Sequence, residues 1–398
     1  IKADIKILIL ASEAEEWDGK SELQHNQLRE VEIEDLLPRD KIYVDMEAIG
    51  EMLADKRILI TGAAGSIGSE MARQVAKFKP SCLVLVDQAE TPMHDVRLYM
   101  ARNHQDINVE TIVTNICKEN RMESIFEHFK PQYVFHAAAY KHVPMMEDNP
   151  AEAVQNNIYG TRVVADLAVK YGTRKFVMIS TDKAVNPTNV MGCSKRICEI
   201  YCQSLNNKLS EEAQGTGRSV TQFVTTRFGN VLGSNGSVIP IFKEQIRKGG
   251  PVTVTHKDII RYFMLIPEAC RLVLQAGTMG HGGEIYVFDM GKPVRIADLA
   301  QRMIDLSGAR NVNIQYVGLR DGEKLYEEVL NDAERSIPTS HPKIMAAQVR
   351  EYPYDLALQN EKELYELSFT ADDMEIVRKM KEIVPEYKSQ HSKYQQLD

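Results

Sequence analysis

The sequence predicts an α/β protein built on a doubly wound parallel sheet, with a smaller C-terminal region attached. Three observations predict it. From Arg57 onward, short apolar segments alternate with amphipathic ones at the spacing of βαβ units. A glycine-rich turn, Gly62 to Gly68, sits between the first strand and the first helix of that series. From Gly229 through Pro267, Gly and Pro become denser, which marks a change to long connections.

The elements follow in order. The first strand is Arg57–Thr61, and a helix over Ser66–Phe78 follows it. Strands Cys82–Val86 and Val109–Val113 come next. A helix over Met122–Phe129 leads to strand Tyr133–His136. A helix over Ala151–Tyr171 leads to strand Lys175–Ser180. A helix over Val190–Lys208 leads to strand Thr221–Thr226. Beyond these lie helix Val238–Arg247 and strand Glu284–Phe288.

At 398 residues the chain is long enough for one large or two medium domains. Hydrophobic residues at 43% and charged residues at 26% suit a soluble globular protein. The net charge of −8 argues against nucleic acid as the main partner. No run of about 18 apolar residues predicts a transmembrane helix, and no secretory signal is visible. Six cysteines are scattered without a C-x-x-C pair, so no zinc site or thioredoxin-type redox centre is expected. Cys193, Cys198 and Cys202 fall on one predicted helix and read as packing. A reducing, cytoplasmic setting is the simplest expectation. The chain opens on Ile1 rather than Met, and Ile5–Leu10 is strand-like, which suggests a fragment of a longer protein. The acidic run Glu30–Asp35 reads as a linker, followed by a short helix.

Thr61-Gly62-Ala63-Ala64-Gly65-Ser66-Ile67-Gly68 follows a strand and opens a helix. Its G-x-x-G-x-x-G spacing permits a tight turn and close approach to a pyrophosphate, with Ser66 and Ile67 at the helix N-terminus. This is a Rossmann-type dinucleotide loop. The next strand ends at Asp87, followed by Gln88. A carboxylate there accepts hydrogen bonds from a ribose diol and repels a 2′-phosphate, which favours NAD over NADP. Asn115 and Ile116 end the third strand, where Asn reads an adenine amino group. Ala137, Ala138 and Ala139 follow the fourth, small enough to let a cofactor lie flat on the sheet edge.

The fifth strand runs into Thr181-Asp182-Lys183, at the sheet edge where doubly wound folds carry their chemistry. Lys195 follows on the next helix, placed to hydrogen-bond a nicotinamide ribose. A short-chain dehydrogenase carries Tyr-x-x-x-Lys here, but the position four before Lys195 is Met191. A thioether neither donates nor accepts a catalytic proton. Either the site is inactive or its chemistry rests on Thr181, Asp182 and Lys183.

These stretches resemble the nucleotide-sugar 4,6-dehydratases of the extended short-chain dehydrogenase/reductase family. The nearest match is the UDP-N-acetylglucosamine 4,6-dehydratases of bacterial glycan, O-antigen and capsule assembly. Six motifs carry the likeness: Thr61–Glu70, Ala137–Pro144, Thr181–Arg196, Arg227–Ser234, Arg261–Met264 and Leu319–Lys324. It runs from about Arg29 to about Lys388. Met191 beside an Asp-Lys pair looks like the acetamido-sugar branch, especially its large membrane-anchored members. The resemblance implies that 1–28 is the remnant of an upstream Rossmann-like domain, with 29–56 a linker and short helix. It makes 57–229 the NAD-binding domain. It makes 230–398 mainly a UDP-sugar-binding region, with some elements returning to the sheet. It implies a full-length protein on the cytoplasmic face of the bacterial inner membrane, anchored by segments outside this chain. It also implies a homo-oligomer, paired through helices such as Ala151–Tyr171 and Val190–Lys208.

The resemblance implies a reaction in three stages: oxidation at sugar carbon 4, loss of water across carbons 5 and 6, and hydride return to carbon 6. Asp182 would be the acid for the leaving hydroxyl, Lys183 the base at carbon 5, and Thr181 a hydrogen-bond partner of the carbon 4 oxygen. A free Lys has a pKa of about 10.4, so Lys183 needs lowering toward about 7–8. Burial and Lys195 would push that way, Asp182 would oppose it, and the pair titrates as a unit. The group that takes the proton in the first oxidation is unassigned. Lys141, Asn230, Ser234, Ser237, Thr253, Arg261, Arg320 and Glu323 fall in stretches that enclose the nucleotide sugar in the family. Arg261 suits a phosphate because its fork is permanently charged. Two alternatives stand beside the dehydratase: a UDP-sugar 4-epimerase, which would rely on the absent Tyr, and a non-catalytic NAD/UDP-sugar sensor.

Overall fold

Along β1 (Arg57–Thr61), Ile58 and Ile60 point to one face of the sheet and Leu59 to the other. Along β2 (Cys82–Asp87), Leu83 and Leu85 oppose Val84 and Val86 in the same way. Both faces are therefore apolar, and a sheet of this kind needs helices on both sides. The computed structural model describes residues 8–10, 28–30, 42–234, 236–328 and 335–398. The strands continue as β3 (Val109–Val113), β4 (Tyr133–His136), β5 (Lys175–Thr181), β6 (Gln222–Phe228), β7 (Ile285–Phe288), β8 (Arg335–Pro338) and β9 (Ile344–Gln348).

Their spatial order is β8-β9-β7-β6-β5-β4-β1-β2-β3. The run β3-β2-β1-β4-β5-β6-β7 is parallel, and β9 and β8 add antiparallel at one edge. The order reverses between β1 and β4. That reversal opens a crevice at the carboxyl ends of the strands. The chain is thus a Rossmann-type doubly wound α/β fold.

One face carries α1 (Met46–Leu53), α2 (Ser66–Ala76), α3 (Glu90–Asn103) and α8 (Ile266–Met279). The other carries α4 (Glu119–Phe129), α5 (Gly160–Lys170), α6 (Val190–Ala213), α10 (Tyr354–Thr370) and α11 (Asp373–Ile383). A third cluster, including Leu232, Phe242, Val254 and Leu299, forms a smaller lobe around α7 (Val238–Arg247) and α9 (Ile296–Ser307). Short parallel pairs, Asn230–Leu232 with Phe263–Leu265 and Val252–Val254 with Ile314–Tyr316, frame that lobe.

Several expectations meet the structure here. The three clustered cysteines are all buried on α6. The helix expected over Ala151–Tyr171 begins at Pro150 and widens to a π-helix over Ala153–Tyr159 before α5. The two helices expected to pair with a second copy are covered by α10 and α11 of the same chain. There Tyr365 stacks on Tyr159 at 3.8 Å between ring centroids, and Glu361 Oε2 lies 3.0 Å from Arg162 Nε. The remnant assigned to 1–28 and most of the acidic run lie outside the described residues, apart from the antiparallel pair Leu8–Leu10 and Leu28–Glu30. Of the segment 29–56, the described part includes α1, capped by Asp45, whose Oδ1 accepts from Ala48 N at 2.9 Å. Among the described residues, no helix is long and apolar enough to cross a membrane.

Candidate active site

The glycine loop cannot carry side chains. Gly62 has φ +67°, and a Cβ there would lie 2.6 Å from Ala138 N. A Cβ on Gly68 would lie 2.0 Å from Gly62 O. The loop therefore lies flush on the residues after β4, while Gly65 starts α2 without a side-chain cap. The helix N-terminus faces a cleft of about 880 Å³, bordered by Gly62, Gly65, Ser66, Ile67, Gly68, Ala137 and Ala139. These features fit a dinucleotide phosphate. Asp87 holds the loop from below: its Oδ2 accepts from Ala64 N at 3.0 Å and its Oδ1 from Ala89 N at 2.9 Å. Asn115 Nδ2 donates to Gln88 Oε1 at 2.9 Å, and Gln88 Nε2 donates to Tyr140 Oη at 3.2 Å. This polar chain crosses the ends of β3, β2 and β4. Ile116 is not brought to the cleft. It is buried in the core beside Gly160, where an added Cβ would sit 2.6 Å from its Cδ1.

Thr181 ends β5 and caps a single 3₁₀ turn, Asp182–Ala184. Its Oγ1 donates to Asp182 Oδ1 at 3.0 Å. Lys183 Nζ donates to the same Oδ1 at 3.0 Å and to Asn230 Oδ1 at 3.2 Å, and it lies 3.3 Å from Glu327 Oε1. Thr181 and Lys183 border the cleft, but Asp182 lies behind them, 3% exposed. Burial pushes the Asp182 carboxyl above its ordinary value, against the pull of Lys183. Burial would lower Lys183, but Asp182 and Glu327 outweigh it and hold the ammonium above its ordinary value. The lowering expected of a free base is therefore not present in this site as it stands, because two carboxylates surround the amine.

α6 brings in the remaining pair. Asn189 caps it, accepting from Gly192 N at 2.7 Å. A Cβ on Gly192 would lie 2.1 Å from Lys183 O, so only glycine lets the helix approach the loop so closely. Met191 and Lys195, one turn apart, both border the cleft. Lys195 Nζ makes no hydrogen bond to any described residue. Nearby, the buried His136 sits between Thr61 Oγ1 at 2.7 Å and Thr161 Oγ1 at 2.9 Å. Burial, reinforced by Lys195, pushes His136 down to about 3, so it stays neutral.

The smaller lobe closes the far wall with Asn230, Ser234, Ser237, Thr253, Arg261, Arg320 and Glu323, facing Lys141 from the β4 side. Ser237 starts α7, and its Oγ is buried without a hydrogen-bond partner among the described residues. A buried unpaired hydroxyl at a helix N-terminus on a cleft fits an anionic ligand. Arg261 is less free than its motif suggests. Its Nη1 donates to Ile260 O at 2.8 Å, its Nη2 to Lys324 O at 2.7 Å, and its Nε lies 3.4 Å from Glu327 Oε1. Arg320 is exposed at the mouth, and its backbone N donates to Glu323 Oε2 at 3.1 Å. Thr253 Oγ1 accepts from Gln245 Nε2 at 2.7 Å.

A family model described as "Polysaccharide biosynthesis protein" matches residues 58–349. The chain belongs to this family. The "Capsular polysaccharide biosynthesis protein CapD" of Staphylococcus aureus is 50% identical over 334 residues, 83% of this chain and 54% of that protein. The chain therefore spans about half the length of that relative. A "UDP-glucose 4-epimerase" of Rickettsia canadensis is 33% identical, covering 71% of this chain and 80% of its own. The "UDP-N-acetylglucosamine 4,6-dehydratase (inverting)" of Campylobacter jejuni is 31% identical, covering 70% and 79%. The crystal structure of Pen from Bacillus thuringiensis superposes with a TM-score of 0.67 at 30% identity, over 77% of this chain and 97% of its own. This polysaccharide biosynthesis protein is thus an extended short-chain dehydrogenase of the nucleotide-sugar dehydratase and epimerase group.

Two residues of this family member escape a reading of its motifs. Asn157, on the π-helical segment, accepts from Tyr140 N at 2.7 Å and donates to Tyr140 O at 3.0 Å and to Ser194 Oγ at 3.0 Å. It pins the loop carrying Lys141 to α6. Glu327, three residues past the last recognised motif, reaches Lys183 and Arg261. No periodicity marks either position; each acquires its partners through tertiary packing.

Proposed function

We propose that this chain converts UDP-N-acetylglucosamine to a UDP-4-keto-6-deoxy-acetamido sugar, as a step in bacterial glycan assembly. The observation that carries this reading is Thr181 and Lys183 on the wall of the glycine-loop cleft, both hydrogen-bonded to the buried Asp182 behind them, with Met191 at the Tyr position. NAD is the cofactor of this reading, held by the glycine loop, Asp87 and Lys195, and its chemistry is to accept the carbon 4 hydride and return it at carbon 6.

The residues then divide the work. Lys183, on the cleft wall, removes the proton from carbon 5. Asp182, raised by burial and therefore suited to keep a proton, gives it to the hydroxyl leaving carbon 6. Thr181 and Lys183 both hydrogen-bond Asp182 Oδ1, and they are its links to the cleft. The pair is reciprocal: protonating Asp182 removes one anion that holds the proton on Lys183. Ser237 and the N-terminus of α7 take the diphosphate, with the exposed fork of Arg320. Arg261, its nitrogens facing protein acceptors, contributes charge from behind.

Incubating the chain with NAD and UDP-N-acetylglucosamine should give a product lighter by one water in the mass spectrum. Asp182→Asn and Lys183→Ala should each lower the rate by about 10²-fold or more. A product of unchanged mass would make the chain an epimerase, and no product would make it a sensor.

A further inference from the structure

The site holds one more carboxylate than the dehydration uses. Glu327 follows the Arg320–Lys324 loop, and its side chain is 4% exposed. Its Oε1 lies 3.3 Å from Lys183 Nζ and 3.4 Å from Arg261 Nε. Its Oε2 is buried with no hydrogen-bond partner among the described residues. Glu327 does not border the cleft and reaches it only through Lys183 and Arg261. A buried carboxylate with an orphan oxygen is a costly feature of a fold, and such groups collect where function holds them.

We infer that Glu327 is a positioning residue of the catalytic pair, whose buried carboxylate shares the Lys183 ammonium with Asp182 and so decides where the pair's proton rests. This rests on the dehydratase reading above. The charges around it are few. Lys183 lies between Asp182 and Glu327. Arg261 touches Glu327 and, at 3.4 Å, Glu323. Lys324 is buried nearby, donating to Val185 O at 2.9 Å and lying 3.7 Å from Glu328. Despite burial, these cations keep Glu327 ionised, its carboxyl below the ordinary value. A fixed anion here acts twice. It holds the proton on Lys183 by attraction, and it holds the proton on Asp182 by like-charge repulsion. Glu327 therefore tunes acid and base in the same direction.

The test is the pH profile of the full chain with NAD and UDP-N-acetylglucosamine, for wild type, Glu327→Gln and Glu327→Asp. Glu327→Gln keeps the shape and removes the charge. Both limbs of its kcat profile should move to lower pH together, by on the order of one unit, with KM within about threefold. Glu327→Asp, which keeps the charge, should lie between the two. A fall in kcat with the limbs unmoved would mean a purely structural role and overturn the inference. A second readout needs no turnover: labelling of Lys183 by acetic anhydride across pH, read by peptide mass spectrometry. Lys183 should become reactive at lower pH in Glu327→Gln, and an unchanged labelling curve overturns the inference even if no dehydration occurs. Should Glu327→Gln fail to melt cooperatively, Glu327→Asp carries both measurements.

Discussion

One absent methyl group decides where Asp182, the proposed acid, sits. Gly229 follows β6, and a Cβ there would lie 2.7 Å from Asp182 Oδ2. Asp182 cannot retreat, because Thr181 and Lys183 hold its other oxygen. Gly229→Ala should therefore push the carboxylate off its partners, and overpacking of this kind costs about 1–3 kcal/mol. We expect kcat to fall about tenfold or more while NAD affinity changes little and the melting temperature drops by a few degrees, in line with that cost. Wild-type kcat in this variant would show that the position of Asp182 is not critical. The Thr181–Asp182–Lys183 loop and the glycine loop were legible in the sequence as candidate sites because each lies within a few residues of a strand end. Gly229 was legible only as part of a motif, since its reason is a carboxylate 47 positions away in the chain.

At the scale of elements, the catalytic loop is held by a buried ionic knot. Glu199 lies one turn beyond Lys195 on α6. It accepts from Ser180 Oγ at 2.7 Å and from Arg227 Nε at 2.8 Å, and it takes Arg227 Nη2 at 2.7 Å and Arg196 Nη1 at 3.2 Å. The knot ties the ends of β5 and β6 to the helix that carries Met191 and Lys195. Removing one member of a fully buried pair leaves the other charge uncompensated. Glu199→Ala should thus lower the unfolding free energy by about 3–5 kcal/mol, measured by urea titration; a loss below about 1 kcal/mol would mean that water already screens Arg227. The arginines hold Glu199 below its ordinary value despite burial. Its contribution is therefore present above the ordinary carboxylate range and lost as pH falls below it. The parallel strands were legible because their apolar runs are short and regular. The helix α10 was not. The buried stripe of α10 is Ala357, Glu361, Leu364 and Ser368, half of it polar, so no apolar period marks it.

At the scale of the whole molecule, α10 and α11 decide what the surface offers. Within one chain, α10 and α11 lie on the π-helical run and α6, with Gln155 Nε2 donating to Ser368 Oγ at 3.1 Å and Tyr201 Oη to Asp166 Oδ1 at 2.6 Å beneath. Past α11 the chain straps back over the active-site loops. Lys388 N donates to Pro187 O at 3.0 Å, Gly322 N donates to Gln390 O at 2.7 Å, and Ser392 Oγ donates to Glu147 Oε2 at 2.6 Å. The same segment thus covers an apolar face and joins the Asp182–Lys183 loop to the Arg320–Lys324 loop. A chain ending at Pro353 should lose both functions. It would keep the parallel sheet, since β1–β9 lie upstream, but expose the faces of Tyr159 and Tyr201 on which Tyr365 and Tyr354 pack. Exposed apolar patches of that kind drive association. Light scattering should show self-association of the shortened chain at concentrations where the intact chain's mass is constant, with strand signal retained in circular dichroism. If the shortened chain keeps its strand signal and stays the size of the intact one, the helices α10 and α11 are not what covers this face in solution.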